Sequence, residues 1–360
     1  MEHVPVGKYP RIKKEGKIRV GMPRALYHYK FQALWETFFK SLGAEVVVSS
    51  PTSNSIKDLG VKHAPDEDCY NSKLYYGHLM SLKDNVDCFF IPRLGSDHPV
   101  HVGCPKFISL AEVIHSMYPD LPPIIMPYYS QAKSNHGRLR LLSISFSIGF
   151  VFTKNPIKIL RALFRAVAAQ KEYKSAFWLT HDQLNSWKRG EIEVNDPPKL
   201  RDGEIPLRVV LAAHSYVMND PYASLNIRKK LAAHGVSLIT SEQLPRDIIQ
   251  AQMDRLDYNF YFEYEREILG TALYFIEDKS ADGIIQICTF CCGPDSIAGE
   301  MAMQYSKRDP QVPLLQLTFD ELTGEAGLNT RIEAFTDMLK RRQQQRRLTK
   351  FQSLSHTLAH

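Results

Sequence analysis

Long hydrophobic runs are missing from this chain of 360 residues. The longest, LLSISFSIGFVF at 141–152, falls far short of the roughly 20 apolar residues a spanning helix needs. The opening MEHVPVGKYPRIKKEGK has no apolar core of the kind a secretory signal carries, so a cytoplasmic protein is expected. Cysteine is sparse, six residues in all, and not spaced like a secreted disulfide framework. Buried, catalytic or metal-bound thiols are expected instead of bridges. Acidic residues are lacking after Asp337, where Lys340, Arg341, Arg342, Arg346, Arg347 and Lys350 account for the whole net charge of +6. The rest of the chain is formally neutral and not a basic domain, which disfavours nucleic acid as a partner. The tail reads as a frayed helix end with a disordered extension, or as a docking segment for an acidic partner.

What is present is a repeated alternation of strand and helix. KIRVGM (17–22) suits a buried strand, and Leu26 to Leu42 carries apolar residues at helical spacing up to Gly43. AEVVVS (44–49), VDCFFIP (86–92) and PPIIMP (122–127) are further strands. Helices are expected from about Cys69 to Lys83 and from Pro105 to Met117. The pattern restarts with strands LRVVLAA (207–213), VSLIT (236–240), DGIIQIC (282–288) and PLLQLTF (313–319). Helices are expected over 222–233, 242–255, 258–278, 294–305 and 328–345. This is an α/β pattern of two Rossmann-like (flavodoxin-like) parallel-sheet halves joined by a helical connector. The boundaries fall at 1–127 and 207–340 for the halves, 128–206 for the connector and 341–360 for the basic tail.

The cysteines are the informative residues. Ligands of open α/β sheets bind outside the carboxyl ends of the strands. Cys104 and Cys292 fall there, each just before a Pro that can open a helix, and Cys69 stands near another helix start. A thiolate at a helix N-terminus is stabilised by the dipole and the unpaired N–H groups. Three such cysteines converging between the halves would make a three-thiolate site with an open position. A set of inert buried thiols is the competing reading. Cys88, inside a strand, reads as a small hydrophobe, while Cys288 and Cys291 stand in reserve as ligands.

The stretches GMPRALYHYKFQALWETFFKSLGAEVVVS, DEDCYNSKLYYGHLMSLKDNVDCFFIPRL, CPKF, TFCCGPDSIAGEM and DELTGEAGLNTRIEAFTDML resemble the acyl-CoA dehydratase activase-related family, DUF2229. That family is related to the 2-hydroxyacyl-CoA dehydratase subunits. The resemblance implies an iron–sulfur protein with a [4Fe–4S] cluster held by three cysteines. Cys69 matches the family's D-E-x-C, Cys104 its C-P-K-F and Cys292 its F-x-C-G-P-D-S. Cys291 stands where Gly is usual, which leaves open whether 291 or 292 is the ligand. An ATP-dependent activase is the implied electron donor, an acyl-CoA the implied substrate, and a homo- or hetero-oligomer the implied assembly, without a membrane. The chain itself has no G-x-x-x-x-G-K-[ST] loop and does not read as the ATP-hydrolysing component. The rival readings are a non-catalytic electron-transfer or scaffold subunit, and a zinc site on the same thiols.

Other candidates accompany the cysteines. Arg24 and Arg93 follow strand ends and suit a CoA phosphate or carboxylate, against surface ion pairing. Lys73 lies one helical turn after Cys69 and shares its face. His78 faces away from Cys69 and reads as structural. His98 and His101 precede Cys104 in a polar loop. Asp320, Glu321, Glu325 and Arg331 follow the last strand, where a capping role is favoured over acid–base work.

Overall fold

The computed structural model describes residues 9, 12, 15–96, 100–131 and 137–358. The chain divides into two compact units. The first comprises residues up to Trp178 together with 215–220 and 257–266; the second comprises 179–214, 221–256 and 267 onward.

The strands are β1 (Arg19–Met22), β2 (Glu45–Val48), β3 (Cys88–Phe90), β4 (Arg93–Ser96), β5 (Ile124–Ile125) and β6 (Tyr128–Ser130), then β7 (Leu207–Ala212), β8 (Val236–Thr240), β9 (Gly283–Thr289) and β10 (Leu314–Phe319). The helices of the first part are α1 (His28–Leu42), α2 (Asn54–His63), α3 (Tyr70–Leu82), α4 (Pro105–Met117), α5 (Gly137–Phe152) and α6 (Pro156–Phe177). They are followed by α7 (His181–Arg189), α8 (Ser215–Met218), α9 (Ile227–Ala233), α10 (Arg246–Met253), α11 (Glu263–Asp278), α12 (Gly293–Arg308) and α13 (Glu325–Leu358).

Two four-stranded sheets result, ordered β2-β1-β3-β5 and β10-β9-β7-β8. Every pairing in them is parallel. Counting strands from the start of each sheet, both orders are 2-1-3-4, so the two halves share one Rossmann-like topology. In the first sheet Val20 pairs with Val46 on one side and Cys88 on the other, and Phe89 pairs with Ile124. One face of it packs Val20, Met22, Cys88 and Phe90 against Phe39 of α1, Ile148 of α5 and Ile159 of α6. Gly43 ends α1 with φ +95°, a left-handed cap that a Cβ would strain. Among the described residues no helix is long and apolar enough to cross a membrane.

Two features of the first unit go beyond the strand–helix pattern. A small parallel pair, β4 with β6, continues β3 and β5 beyond Pro92 and Pro127. Neither proline has an N–H for the ladder, so each strand is broken there and resumes with the Arg93 amide donating to the Pro127 carbonyl. Helix α2 is the other. Its sequence has few apolar residues and an interior Gly60, a poor helix former. Gly60 is there for packing: a Cβ on it would lie 2.1 Å from the Lys73 carbonyl oxygen, and one on Gly77 would lie 1.9 Å from that of Ile56. The α2 and α3 backbones touch, and this contact seats the helix that Cys69 begins.

In the second unit β7, β8 and β9 are buried almost throughout, as expected for strands covered on both faces, while the edge strand β10 is half-buried. Residues 222–226 form turns instead of the expected helix, because Leu225 (φ +50°) and Asn226 (φ +55°) are left-handed. Pro245 breaks the stretch 242–255 ahead of α10. The last helix, expected to stop near 345, continues to Leu358. No Gly or Pro interrupts 341–358, and Arg342 donates to the Pro310 carbonyl while Arg346 pairs with Asp282 at 2.7 Å. The basic run is thus helical to Leu358, not frayed.

Candidate functional site

Cys69, Cys104 and Cys292 each occupy the N-cap of a helix: α3, α4 and α12 respectively. Ser, Thr, Asp or Asn is the usual choice there, because their oxygens accept from the first-turn amides. None of the three cysteines makes a conventional side-chain capping hydrogen bond, though first-turn amides favour the thiolate forms of Cys69 and Cys104. Three helix starts therefore carry sulfur where a better cap was available.

Cys69 and Cys104 belong to the same unit and feel each other electrostatically. Burial pushes the Cys69 thiol up to about 12, opposed by the Ser72 amide and the Lys106 ammonium. Burial also raises Cys104, opposed by the amides of Phe107 and Lys106 and again by the Lys106 ammonium. Without a cation both sulfurs are protonated thiols, and the helix amides around them favour the thiolate form that a bound metal would demand. Lys106 joins the two positions. Its ammonium donates to the Glu67 carbonyl at 2.7 Å and to Asp68 at 2.9 Å, the residue before Cys69. Asp68 also accepts from Ser72 at 2.7 Å. The loop ahead of Cys104 is pinned by the Gly103 amide on the Gly95 carbonyl and by the Val102 amide on Tyr261. His101 is buried in that loop, while His98 lies outside the described residues.

Cys292 lies three residues past the end of β9, its amide donating to the Thr289 carbonyl at 3.0 Å. The residue before it, Cys291, has φ +64° and is exposed. This left-handed backbone is what glycine adopts without strain, and it accounts for the Gly usual at this place in the resembling motif. Cys288 is held by structure: its thiol donates to the Asp295 carbonyl at 3.5 Å and accepts from Gln316 at 3.3 Å. Burial pushes it up to about 11. Cys88 is fully buried in β3, and burial pushes its thiol up to about 12.

The switch points, where strand order reverses, differ between the two sheets. At the first, the ends of β1 and β3 are filled by Tyr27 and Phe107, whose ring centroids are 5.4 Å apart. The cavity left is about 20 Å³, room for roughly one water. At the second, His214 follows β7 and Asp295 sits in the first turn of α12. Their Nε2 and Oδ1 atoms are 2.9 Å apart, both residues being buried. Sequence reasoning passed over this pair, although a His just beyond a strand and an Asp three residues after a helix-capping Cys both lie at the carboxyl edge where sites form.

Arg24 and His78 belong to one buried chain. The Arg24 amide donates to the Ser49 hydroxyl at 2.8 Å, and its Nε donates to the Ser49 carbonyl at 3.0 Å. Ser49 is 2.9 Å from His78 Nδ1, and Thr52 is 2.9 Å from His78 Nε2. The Thr52 hydroxyl donates to Asp220. Since the only Thr52 proton points at Asp220, His78 must carry its own proton on Nε2 and accept from Ser49 at Nδ1. Burial, with Arg24 and His28 adding to it, pulls His78 down to about 3.

Arg93 binds within the fold, with Nε on the Ile108 carbonyl at 3.1 Å, Nη1 on Glu112 at 2.9 Å and its guanidinium over Tyr128. It thereby ties β4 to α4. Lys73 is half-buried on α3, its amide bonded to the Cys69 carbonyl at 3.0 Å. Asp320 accepts from Thr323 and from the Leu322 amide, a turn role, and Glu325 pairs with Lys230.

These features define a duplicated parallel α/β protein with thiols at helix N-termini. The family model for the CoA enzyme activase uncharacterised domain (DUF2229) matches residues 19–244, and the chain belongs to that family. The matched stretch contains Cys69 and Cys104. Comparison with curated proteins finds no match. Membership relates the chain to CoA enzyme activase systems.

Proposed function

We propose that this chain is an iron–sulfur protein of an acyl-CoA dehydratase system, receiving low-potential electrons from an ATP-dependent activase. The observation that carries the reading is the pairing of Cys69 and Cys104, two thiols capping neighbouring helices and tied by the Lys106 contacts to Glu67 and Asp68. Soft thiolates with helix amides around them fit an iron–sulfur cluster, which is held by cysteine sulfur and tuned by hydrogen bonds to it. The ligand set we propose is Cys69, Cys104 and Cys292, with Cys291 as the substitute for the last. When bound, a [4Fe–4S] cluster would supply one-electron chemistry for reductive or radical dehydration.

The chain's own residues would do the rest. Cys69 and Cys104 would release their protons on binding, with Cys69 buried and Cys104 half-buried. Lys106 would offset part of the thiolate charge. Arg24, anchored through Nε, keeps its terminal nitrogens for an anionic group such as a CoA phosphate, and Lys73 stands one turn from Cys69. Six free cysteines without a bridge support a reducing compartment such as the cytoplasm.

Anaerobic purification with iron and acid-labile sulfide analysis tests the reading. About four irons per chain, lost in Cys69→Ala, Cys104→Ala or Cys292→Ala, are expected. A colourless protein that binds zinc in place of iron would overturn it. Incubating the reduced protein with acyl-CoAs, activase and ATP then separates an enzyme, which turns substrate over, from an accessory electron-transfer subunit.

A further inference from the structure

The overall charge count hides a local imbalance. The 51 residues between Asp120 and Glu172 contain eight basic residues and no acidic one. Most of this stretch folds as α5 and α6, whose inner faces are accounted for by the core: Ile144 and Ile148 on one, Ile159 and Leu163 on the other. Their outer faces are not purely polar. Helix α6 exposes Ile157 at 60% and Phe164 at 65%, and α5 exposes Leu139 at 63% and Phe150 at 49%.

Helical geometry arranges these residues. At about 100° per residue, Ile157, Phe164 and Ala168 fall within about 40° of one another on the outside of α6. Arg161 and Lys171 lie about 40° to either side of Ile157, and Arg165 and Lys158 lie further round. All four cations are exposed and have no ion-pair partner among the described residues. Leu139 and Phe150 lie within about 20° of each other on α5 in the same way, and the Phe150 ring stands 5.9 Å from that of Phe146, which packs inward on the core.

We propose that the outer face of α5 and α6 docks onto an anionic lipid surface. Two occupants could match basic charge interleaved with large apolar side chains: an acidic protein or an anionic bilayer. In the core of a protein interface Lys is depleted, because its ammonium must be desolvated. At a bilayer, apolar side chains enter the headgroup boundary while Lys and Arg stems reach back to the phosphates. The alternation Ile157, Lys158, Arg161, Phe164, Arg165 suits the second case. A surface-lying helix needs no membrane-spanning segment, and none is found among the described residues.

The experiment is co-sedimentation of the full chain with vesicles of phosphatidylcholine alone, and of phosphatidylcholine with about one third phosphatidylserine. Binding to the anionic vesicles only, weakened several-fold when salt rises from about 0.1 M to about 0.5 M, is expected. Arg161→Gln with Arg165→Gln should lower the partition about tenfold or more. Ile157→Ser with Phe164→Ser should do so by a similar factor. Thermal melting confirms that both variants fold, as surface substitutions should. Failure of the wild-type chain to pellet with anionic vesicles overturns the proposal. So does pelleting that neither variant reduces, or binding of polyglutamate as tight as that of vesicles and insensitive to the Ile157/Phe164 pair, which would assign the face to an acidic protein.

Discussion

The Lys106 ammonium sits 2.9 Å from Asp68 and so joins the first turn of one cysteine-capped helix to the residue before the other. This side-chain contact bridges the Cys69 and Cys104 positions. The pair is partly exposed, so its own contribution to stability is small, at most about 1 kcal/mol. The same charge also favours both thiolates, second to burial and to the helix amides. Lys106→Ala should therefore slow alkylation of Cys104 by iodoacetamide at mildly alkaline pH, followed by mass spectrometry, while Lys106→Arg restores the rate. Equal rates in all three proteins would remove Lys106 from the account.

Cys291 has a glycine's backbone conformation. Cys291→Gly should raise stability to denaturant by about 1 kcal/mol, since it relieves a left-handed non-glycine residue. If Cys292 is the metal ligand, the variant keeps the iron content of the wild type. Loss of iron would transfer the ligand role to Cys291.

His78 makes the fold sensitive to acid. Burial lowers it to about 3, and His28 to about 4, from an ordinary value of 6.5. Both are neutral when folded, so the unfolded chain binds more protons once pH falls below about 6.5. Stability should be level above that pH and decline as pH falls toward 3 to 4, by several kcal/mol in all (order of magnitude). His78→Asn should flatten the decline measured by urea unfolding at a series of pH values. Thr52→Val should cost about 2 kcal/mol at neutral pH, by leaving the His78 Nε2–H and Asp220 without their shared hydroxyl.

Gly77→Ala should cost about 3 kcal/mol or more, because its Cβ meets backbone that cannot yield locally. The loss should appear in both the melting temperature and the iron content, since α3 carries Cys69. A normal melting temperature in this variant would mean that the α2–α3 contact is looser than described.

The pair His214–Asp295 should show strong coupling. Asp295→Ala alone leaves a buried imidazole beside a void and should cost about 3 kcal/mol or more. Combining it with His214→Leu should recover part of that loss, because the second change removes the stranded polar group. Additive losses in a denaturation cycle would show that the two residues act independently.

Much of this was legible along the chain because it depends on local pattern. The run VSLIT is β8 residue for residue, Pro105 opens α4, and Gly43 ends α1. Each rests on short-range physics: a buried strand's apolar run, a proline's missing N–H, a glycine's positive φ. The cysteines stood out for the same reason, since a Cys just ahead of a helix can be read from the residues after it. Helix α2 could not be read this way, because Gly60 is selected by a backbone 13 positions on in α3. Nor could the Arg24–Ser49–His78–Thr52–Asp220 chain, whose members are spread over nearly 200 positions.

Sequence periodicity alone established two runs of parallel strands with a thiol ahead of a helix in each, because strand and helix signals are local and repeat. Tertiary packing decided the roles within that frame. Folding filled one switch point with Tyr27 and Phe107 and left His214 and Asp295 at the other, and it committed Arg93 to Glu112 and the Ile108 carbonyl. It also drew Cys104 to Cys69 through Lys106. Those outcomes depend on which distant groups share a buried space, where an ion or hydrogen-bond donor must find a partner, and spacing along a chain does not encode that.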